Sequence, residues 1–100
     1  MTQIQDNIQP VSEEERLARL VMAAESLLFV AGRSLEYIEL RKLLDVSDTH
    51  LASVLHILAE QLENQGRGIR LQRLERQVQL VTAPENARDS AALLGLPMAA

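Results

Sequence analysis

Two histidines, His50 and His56, and the absence of cysteine bound the chemistry available to this chain. Without a thiol there is no disulfide, no thiolate metal site and no cysteine nucleophile. Six residues apart on one helix, the two imidazoles point about 120° away from each other and cannot close on a single ion. His56 and Glu60 stand at i, i+4 and can approach one ion from the same face. A further protein ligand is not identifiable, so a solvated polar face is the expected outcome. The run Glu13-Glu14-Glu15 has the sign that suits the positive end of a helix dipole, and is read as a helix start, not a cation site. Gly66-Arg67-Gly68 follows a helix instead of opening one, so it offers an anion no helix N-terminus. No nucleophile with its base, no carboxylate pair and no metal set emerges. The chain is therefore expected to have no catalytic, cofactor-binding or metal-binding residues and to act by binding, not as an enzyme.

Two groups of residues could make contacts with a macromolecule. Arg67, Arg70, Arg73 and Arg76 place four of the ten basic residues within ten positions. Such a segment can touch a phosphate backbone or an acidic protein surface. The second group is apolar. With the core face of the first helix set at Leu17, Leu20, Ala24, Leu28 and Ala31, Met22 and Phe29 fall nearly opposite it, seven residues apart. Ser26 lies between them, and Val30, Ala23 and Ala18 widen the stripe. A surface helix should be polar there. Either the hairpin or C-terminal segment of the same chain covers this stripe, or another molecule does. A homodimer seam formed by Met22, Ser26, Phe29 and Val30 is the favoured expectation.

The elements that position these groups follow from periodicity. Residues 1–11 are polar and aperiodic and are expected to form a disordered tail without an apolar secretory stretch. Ser12 with Glu15 three residues on is a capping-box pattern. Apolar residues then recur every three to four positions to Ala31, and Gly32 can end the helix. Ser34 is a candidate cap for a second helix, Leu35 to Leu44, with Ile38, Leu40, Leu43 and Leu44 available to the core. After a turn at residues 45–48, a third helix carries Leu51, Val54, Leu55, Leu58 and Leu62, and Gly66 and Gly68 stop it. The period then changes to two: Ile69 and Leu71, then Val78 and Leu80, alternate with polar residues as strands do. The intervening Leu74-Glu75-Arg76 lacks the glycine or asparagine of a tight hairpin turn. Pro84 ends the second strand, and residues 87–94 can form one more short helix. Helix, helix-turn-helix and hairpin in that order predict a mainly α fold with a small β-hairpin, a winged helix-turn-helix. Residues 12–83 are its expected extent, with residues 84–100 a C-terminal segment or linker.

A helix-turn-helix often reads DNA, so the third helix is the test. From Ser47 to Gln65 it has no Lys or Arg, while Asp48, Glu60 and Glu63 are acidic. The expected exposed set is Thr49, His50, Ser53, His56 and Gln61, which cannot neutralise phosphates. The chain carries a net charge of −4 and only two aromatic residues, Phe29 and Tyr37, so base stacking is also poorly served. Direct DNA binding is expected to be weak or absent. A winged-helix transcription regulator using the basic wing is the alternative. No apolar run approaches the length of a membrane span, and the location expected is the cytoplasm.

Several segments resemble the segregation and condensation protein B (ScpB) family. They are Ala24-Glu25-Ser26-Leu27-Leu28-Phe29-Val30-Ala31-Gly32, the short helix ending Leu43-Leu44-Asp45-Val46-Ser47, and Gly66-Arg67-Gly68-Ile69-Arg70-Leu71. Val78-Gln79-Leu80-Val81-Thr82-Ala83-Pro84-Glu85 and Leu93-Leu94-Gly95-Leu96-Pro97 complete the set. The resemblance covers roughly residues 17–98. It implies a non-enzymatic, nucleoid-associated subunit of the bacterial SMC–kleisin complex that organises and segregates chromosomes. Members have two winged-helix domains, dimerise through the first, bind the kleisin ScpA and reach the SMC ATPase through it. This chain would supply the first domain, with residues 84–100 leading toward a second. It departs from the family at the hairpin turn, where Glu75-Arg76-Gln77 stands in place of frequent glycines.

Overall fold

The structure, a computed structural model, describes residues 12–95 of the 100-residue chain. The expected tail at residues 1–11 and the last five positions of the expected linker lie outside the described residues. Helix α1 (Glu13–Ala31) begins at a reciprocal cap. The Glu15 amide donates to the Ser12 hydroxyl at 3.1 Å, and the Ser12 amide donates to Glu15 Oε1 at 3.0 Å. Two of the amides that a helix start leaves unpaired are thereby satisfied. The helix ends at Gly32, whose φ of 62° lies in the left-handed region and whose amide donates to the Leu28 carbonyl.

The second helix starts later than its apolar pattern predicts. Leu35–Glu36 is a two-residue strand, β1, and helix α2 runs from Tyr37 to Leu44. Ser34 does not cap α2; its hydroxyl donates to Gln77 Oε1 at 2.8 Å. The Glu36 amide is taken up instead by Glu39 Oε1 at 3.1 Å. Leu40 is fully buried, but Ile38 and Leu43 are exposed, against expectation. At about 100° per residue, Ile38 projects almost opposite Leu40, and an eight-residue helix has room for one buried face only.

Asp45, at φ 55°, turns the chain out of α2. Helix α3 (Asp48–Asn64) starts at Ser47, whose hydroxyl accepts from the His50 amide at 3.1 Å. Across this turn Arg41 Nε lies 3.1 Å from Asp48 Oδ1. All five leucine and valine positions expected to face inward, Leu51, Val54, Leu55, Leu58 and Leu62, are buried. They meet Val21, Ala24 and Leu28 of α1, Leu35 of β1 and Leu40 of α2 in one aliphatic core.

Strands β2 (Ile69–Arg73) and β3 (Gln77–Thr82) form the antiparallel wing, with Leu71 opposite Leu80 and Arg73 opposite Val78. The sheet has three strands in the order β1-β3-β2, because Leu35 also pairs with Val78. Val78 is thus central and fully buried, while Ile69, at the open end, stays exposed. A 3-10 turn (Pro84–Asn86) and helix α4 (Ala87–Leu94) follow. The element order and packing are those of a winged helix-turn-helix, with the short β1 completing a three-stranded sheet beside the wing hairpin.

Candidate functional site

On α1 the face turned from the core carries an apolar row. Val21, Ala24 and Leu28 are buried, whereas Met22, Phe29 and Val30 are 68%, 78% and 80% exposed, and Ser26 is exposed between them. Met22, Ser26 and Phe29 are spaced i, i+4, i+7, so their side chains stand one above another along the helix. Neither the wing nor α4 covers them. Large apolar side chains grouped in this way are a common mark of a contact surface. The row continues beyond the helix. Phe29, Leu28, Gly32 and Arg33 form one wall of a cleft of about 280 Å³ whose other wall is Ile69, Gln79 and Leu80 of the wing. The exposed Ile69 therefore belongs to the same apolar surface as Phe29.

The four wing arginines separate into two kinds. Arg67, Arg73 and Arg76 are exposed and enter no ion pair among the described residues. Arg70 departs from the expected free wing contact: its side chain is only 17% exposed and Nη2 lies 3.3 Å from Glu85 Oε2. Its Nη1 also donates to the Arg67 carbonyl and, at 3.3 Å, to that of Ile69. These bonds tie the 3-10 turn to the start of β2, so Arg70 holds the fold together at this edge. Sequence spacing alone could not separate it from its neighbours, because its partner Glu85 lies fifteen positions away.

His56 and Glu60 do meet, with Nε2 3.4 Å from Oε2, both largely exposed. Among the described residues no group of three His, Cys, Asp or Glu side chains gathers as a metal set would require. The exposed face of α3 presents Asp48, Thr49, Ser53, His56, Glu60, Gln61 and Glu63, with no cation among them. Helix α3 thus opposes a phosphate backbone instead of attracting one. No described helix is long and apolar enough to cross a membrane.

One feature escaped sequence reasoning altogether. Tyr37 at the start of α2, Asp48, Leu51, Ala52 and Leu55 on α3, and Arg73 at the end of β2 line a cleft of about 270 Å³. It opens into a wider depression bounded by Glu36, Ile38, Arg41, Glu75 and Arg76 and sharing Tyr37 and Asp48. Leu51 and Leu55 were legible as core residues. That their outer edges floor a cleft depends on where the wing lies, which no local pattern reports.

The geometry agrees with relationships that run through most of the chain. The family model described as "Segregation and condensation complex subunit ScpB" matches residues 22–97. Segregation and condensation protein B of Shouchella clausii (strain KSM-K16) is 38% identical over 64 residues, covering 63% of this chain and 33% of the relative. The protein of the same name from Clostridium tetani (strain Massachusetts / E88) is 30% identical over 77 residues, covering 77% of this chain and 41% of the relative. This chain thus spans well under half the length of these relatives. Among solved structures, a dimer of the ScpB N-terminal domain complexed with ScpA peptide superposes with a TM-score of 0.70 at 29% identity. That likeness covers 77% of this chain and 96% of the solved one. A conserved hypothetical protein from Chlorobium tepidum has the same fold, with a TM-score of 0.72 at 22% identity over 81% of this chain and 51% of its own. With the family model spanning the outward row of α1, the helix-turn-helix and the whole wing, this chain belongs to the ScpB family of segregation and condensation complex subunits.

Proposed function

We propose that this chain is a non-catalytic accessory unit of an SMC–kleisin chromosome condensation complex. It homodimerises through the outer row of α1, binds the kleisin ScpA and reaches the SMC ATPase through ScpA. Its place is then the cytoplasm, on the nucleoid. The observation that carries the reading is the exposed row Met22, Ser26, Phe29 and Val30, a largely apolar surface that the described elements of the domain leave uncovered. Burying two large apolar side chains contributes about 3–6 kcal/mol per subunit before association costs. The solved ScpB N-terminal domain of similar fold is a dimer holding an ScpA peptide, which supports the same two contacts here.

Sedimentation over a concentration series tests the first contact, and titration with ScpA from the same organism tests the second. A monomer at the highest concentration removes the dimer, and absence of ScpA binding removes the kleisin role. A DNA-binding regulator is the second reading, favoured by the exposed Arg67, Arg73 and Arg76 and opposed by the cation-free α3. A salt titration separates it, since contact with several phosphates gives a steep fall of affinity with salt.

A further inference from the structure

We propose that Arg70 and Glu85 form a latch that holds α4 and sets the direction in which it leaves the domain. Through this latch α4 moves with the wing as one body, and the apolar pair at its far end, Leu93 and Leu94, is presented in a fixed place. The inference does not depend on which partner the domain binds.

Helix α4 has little else to hold it. It buries none of its residues, and the element it chiefly touches is the 3-10 turn Pro84–Asn86 just before it. An isolated helix shorter than about 12–15 residues is marginal in water, because few hydrogen bonds offset the cost of nucleation. The eight residues of α4 therefore need an anchor. Its far end does not supply one, since Leu93 and Leu94 are 88% and 69% exposed. The anchor lies at the near end, in the turn.

The turn is held at three points. The Ala83 amide donates to the Gly68 carbonyl at 2.8 Å, which carries the β2–β3 ladder one pair past the strands. The Asn86 carboxamide lies over Gly68, where an added Cβ would stand 3.8 Å from Nδ2. Arg70 then reaches across from β2, with Nη2 3.3 Å from Glu85 Oε2. The backbone bond fixes where the ladder stops, but each residue after it still has two soft dihedrals. Of the three contacts, only the Arg70–Glu85 pair acts on the middle residue of the turn.

Arg70 is suited to a latch. Its side chain is largely buried, and Nη1 donates to the carbonyls of Arg67 and Ile69, so the guanidinium is already oriented towards the turn. A planar fork bonded along one edge presents its other amine in a set direction. Glu85 is mostly exposed and has no other ion partner among the described residues, so its side chain can be changed without opening the core. A half-exposed pair of this kind contributes little to overall stability. Its effect is local: it governs the order of α4 and not the folding of the domain.

The test is amide relaxation in the isotope-labelled whole chain, with residual dipolar couplings to report direction. In wild type, α4 amides should have order parameters of about 0.85, like those of α3, and couplings that fit the same alignment as α1–α3. Glu85→Ala should lower the α4 values below about 0.6 and leave α1–α3 unchanged. Fraying of α4 and swivelling of an intact α4 both lower these values, and either result supports the latch. Glu75→Ala removes an exposed wing acid that enters no ion pair among the described residues, and should leave α4 as it is in wild type. Should Glu85→Ala fail to fold, Glu85→Gln takes its place. It keeps an oxygen acceptor, loses the charge, and should lower the order of α4 by a smaller amount. Wild-type order and couplings in α4 of the Glu85 variant overturn the latch, as does a wild-type α4 already below about 0.6. Equal losses in Glu75→Ala and the Glu85 variant overturn it too. So does a loss spread evenly over α1–α4, which would make the pair a general support of the fold.

Discussion

The Tyr37 hydroxyl donates to the Leu74 carbonyl at 2.7 Å, joining the first turn of α2 to the tip of the wing thirty-seven residues later. The same residue's amide donates to the Arg76 carbonyl at 3.0 Å, so Tyr37 grips the hairpin tip twice. The Leu74 amide donates to the Gln77 carbonyl at 2.8 Å, and the intervening Glu75 and Arg76 keep negative φ. A tight hairpin tip normally uses glycine or asparagine at positive φ to follow the twist of its strands. Here the tip is supported from outside, by a neighbour.

Removing the hydroxyl isolates that support. Tyr37→Phe keeps the ring and the amide bond and deletes only the donor, so the loss should be about 0.5–1.5 kcal/mol. Thermal denaturation measures the total. Hydrogen exchange should accelerate most at Leu74 and Gln77, the amides nearest the tip, and much less in α3. Uniform acceleration across the domain would mean that the hydroxyl stabilises the whole fold and not the wing.

Glu39, in the first turn of α2, provides a pH handle. Its carboxylate accepts from the Glu36 amide at 3.1 Å and lies 3.5 Å from Arg33 Nη2. The backbone hydrogen bond first, then the Arg33 bond, hold its pKa below the usual glutamate value. A depressed folded-state pKa means that the unfolded chain binds the proton more readily. The resulting stabilisation is present above the unfolded value of about 4.3 and is lost as pH falls through the lowered folded value. Glu39→Gln should therefore melt earlier than wild type at neutral pH, and the two melting curves should converge in acid. A gap that persists at low pH would trace the effect to packing, not to the charge.

These two contacts mark where the sequence was legible and where it was not. The capped start of α1, its stop at Gly32 and the five buried positions of α3 are local signals, and the folded chain follows each of them. Strand β1 was unreadable because two residues are too few for an alternation to appear. The apolar pattern places Leu35 in a helix, whereas pairing with Val78 buries it as a strand residue. The roles of Arg70 and Tyr37 have no local signature for a related reason: their partners Glu85 and Leu74 are close only after folding. Helical spacing alone separates the outer row of α1 from Ala24 and Leu28, and Met22, Phe29 and Val30 are exposed. The cleft beside Ala52 has no such signature, since two of its walls come from elements remote in sequence.

Gly32 tests how far backbone conformation, without packing, sets the end of α1. An added Cβ would meet nothing within 4 Å, yet φ is +62°. Gly32→Ala should therefore destabilise by about 1–2 kcal/mol through left-handed strain alone, with no steric contact to relieve. Gly32→Asn should recover part of that loss, because a short polar side chain tolerates this region better. Chemical denaturation of the three proteins measures the series. Equal stability of the alanine variant and wild type would show that the helix end is held by the tertiary contacts around Leu35 instead.

The α1 row predicts a specific pattern of self-association, because it competes with a second exposed apolar site. Leu93 of α4 is 88% exposed, more than Phe29, and α4 buries none of its residues. If exposure alone drove association, Leu93→Glu would disrupt a dimer at least as strongly as Phe29→Glu. The row on α1 differs in being continuous: Met22 and Phe29 share one line on a long, well-packed helix and merge with Ile69 across the adjoining cleft. A symmetric dimer needs such a self-complementary patch. Phe29→Glu removes about 1.5–3 kcal/mol of apolar burial per subunit and places two carboxylates near the seam, so dissociation should rise by about two orders of magnitude or more. Both variants should keep wild-type helical content, since neither side chain contributes to the buried core. Analytical ultracentrifugation is expected to find Phe29→Glu monomeric and Leu93→Glu dimeric, and the reverse result would move the seam from α1 to α4.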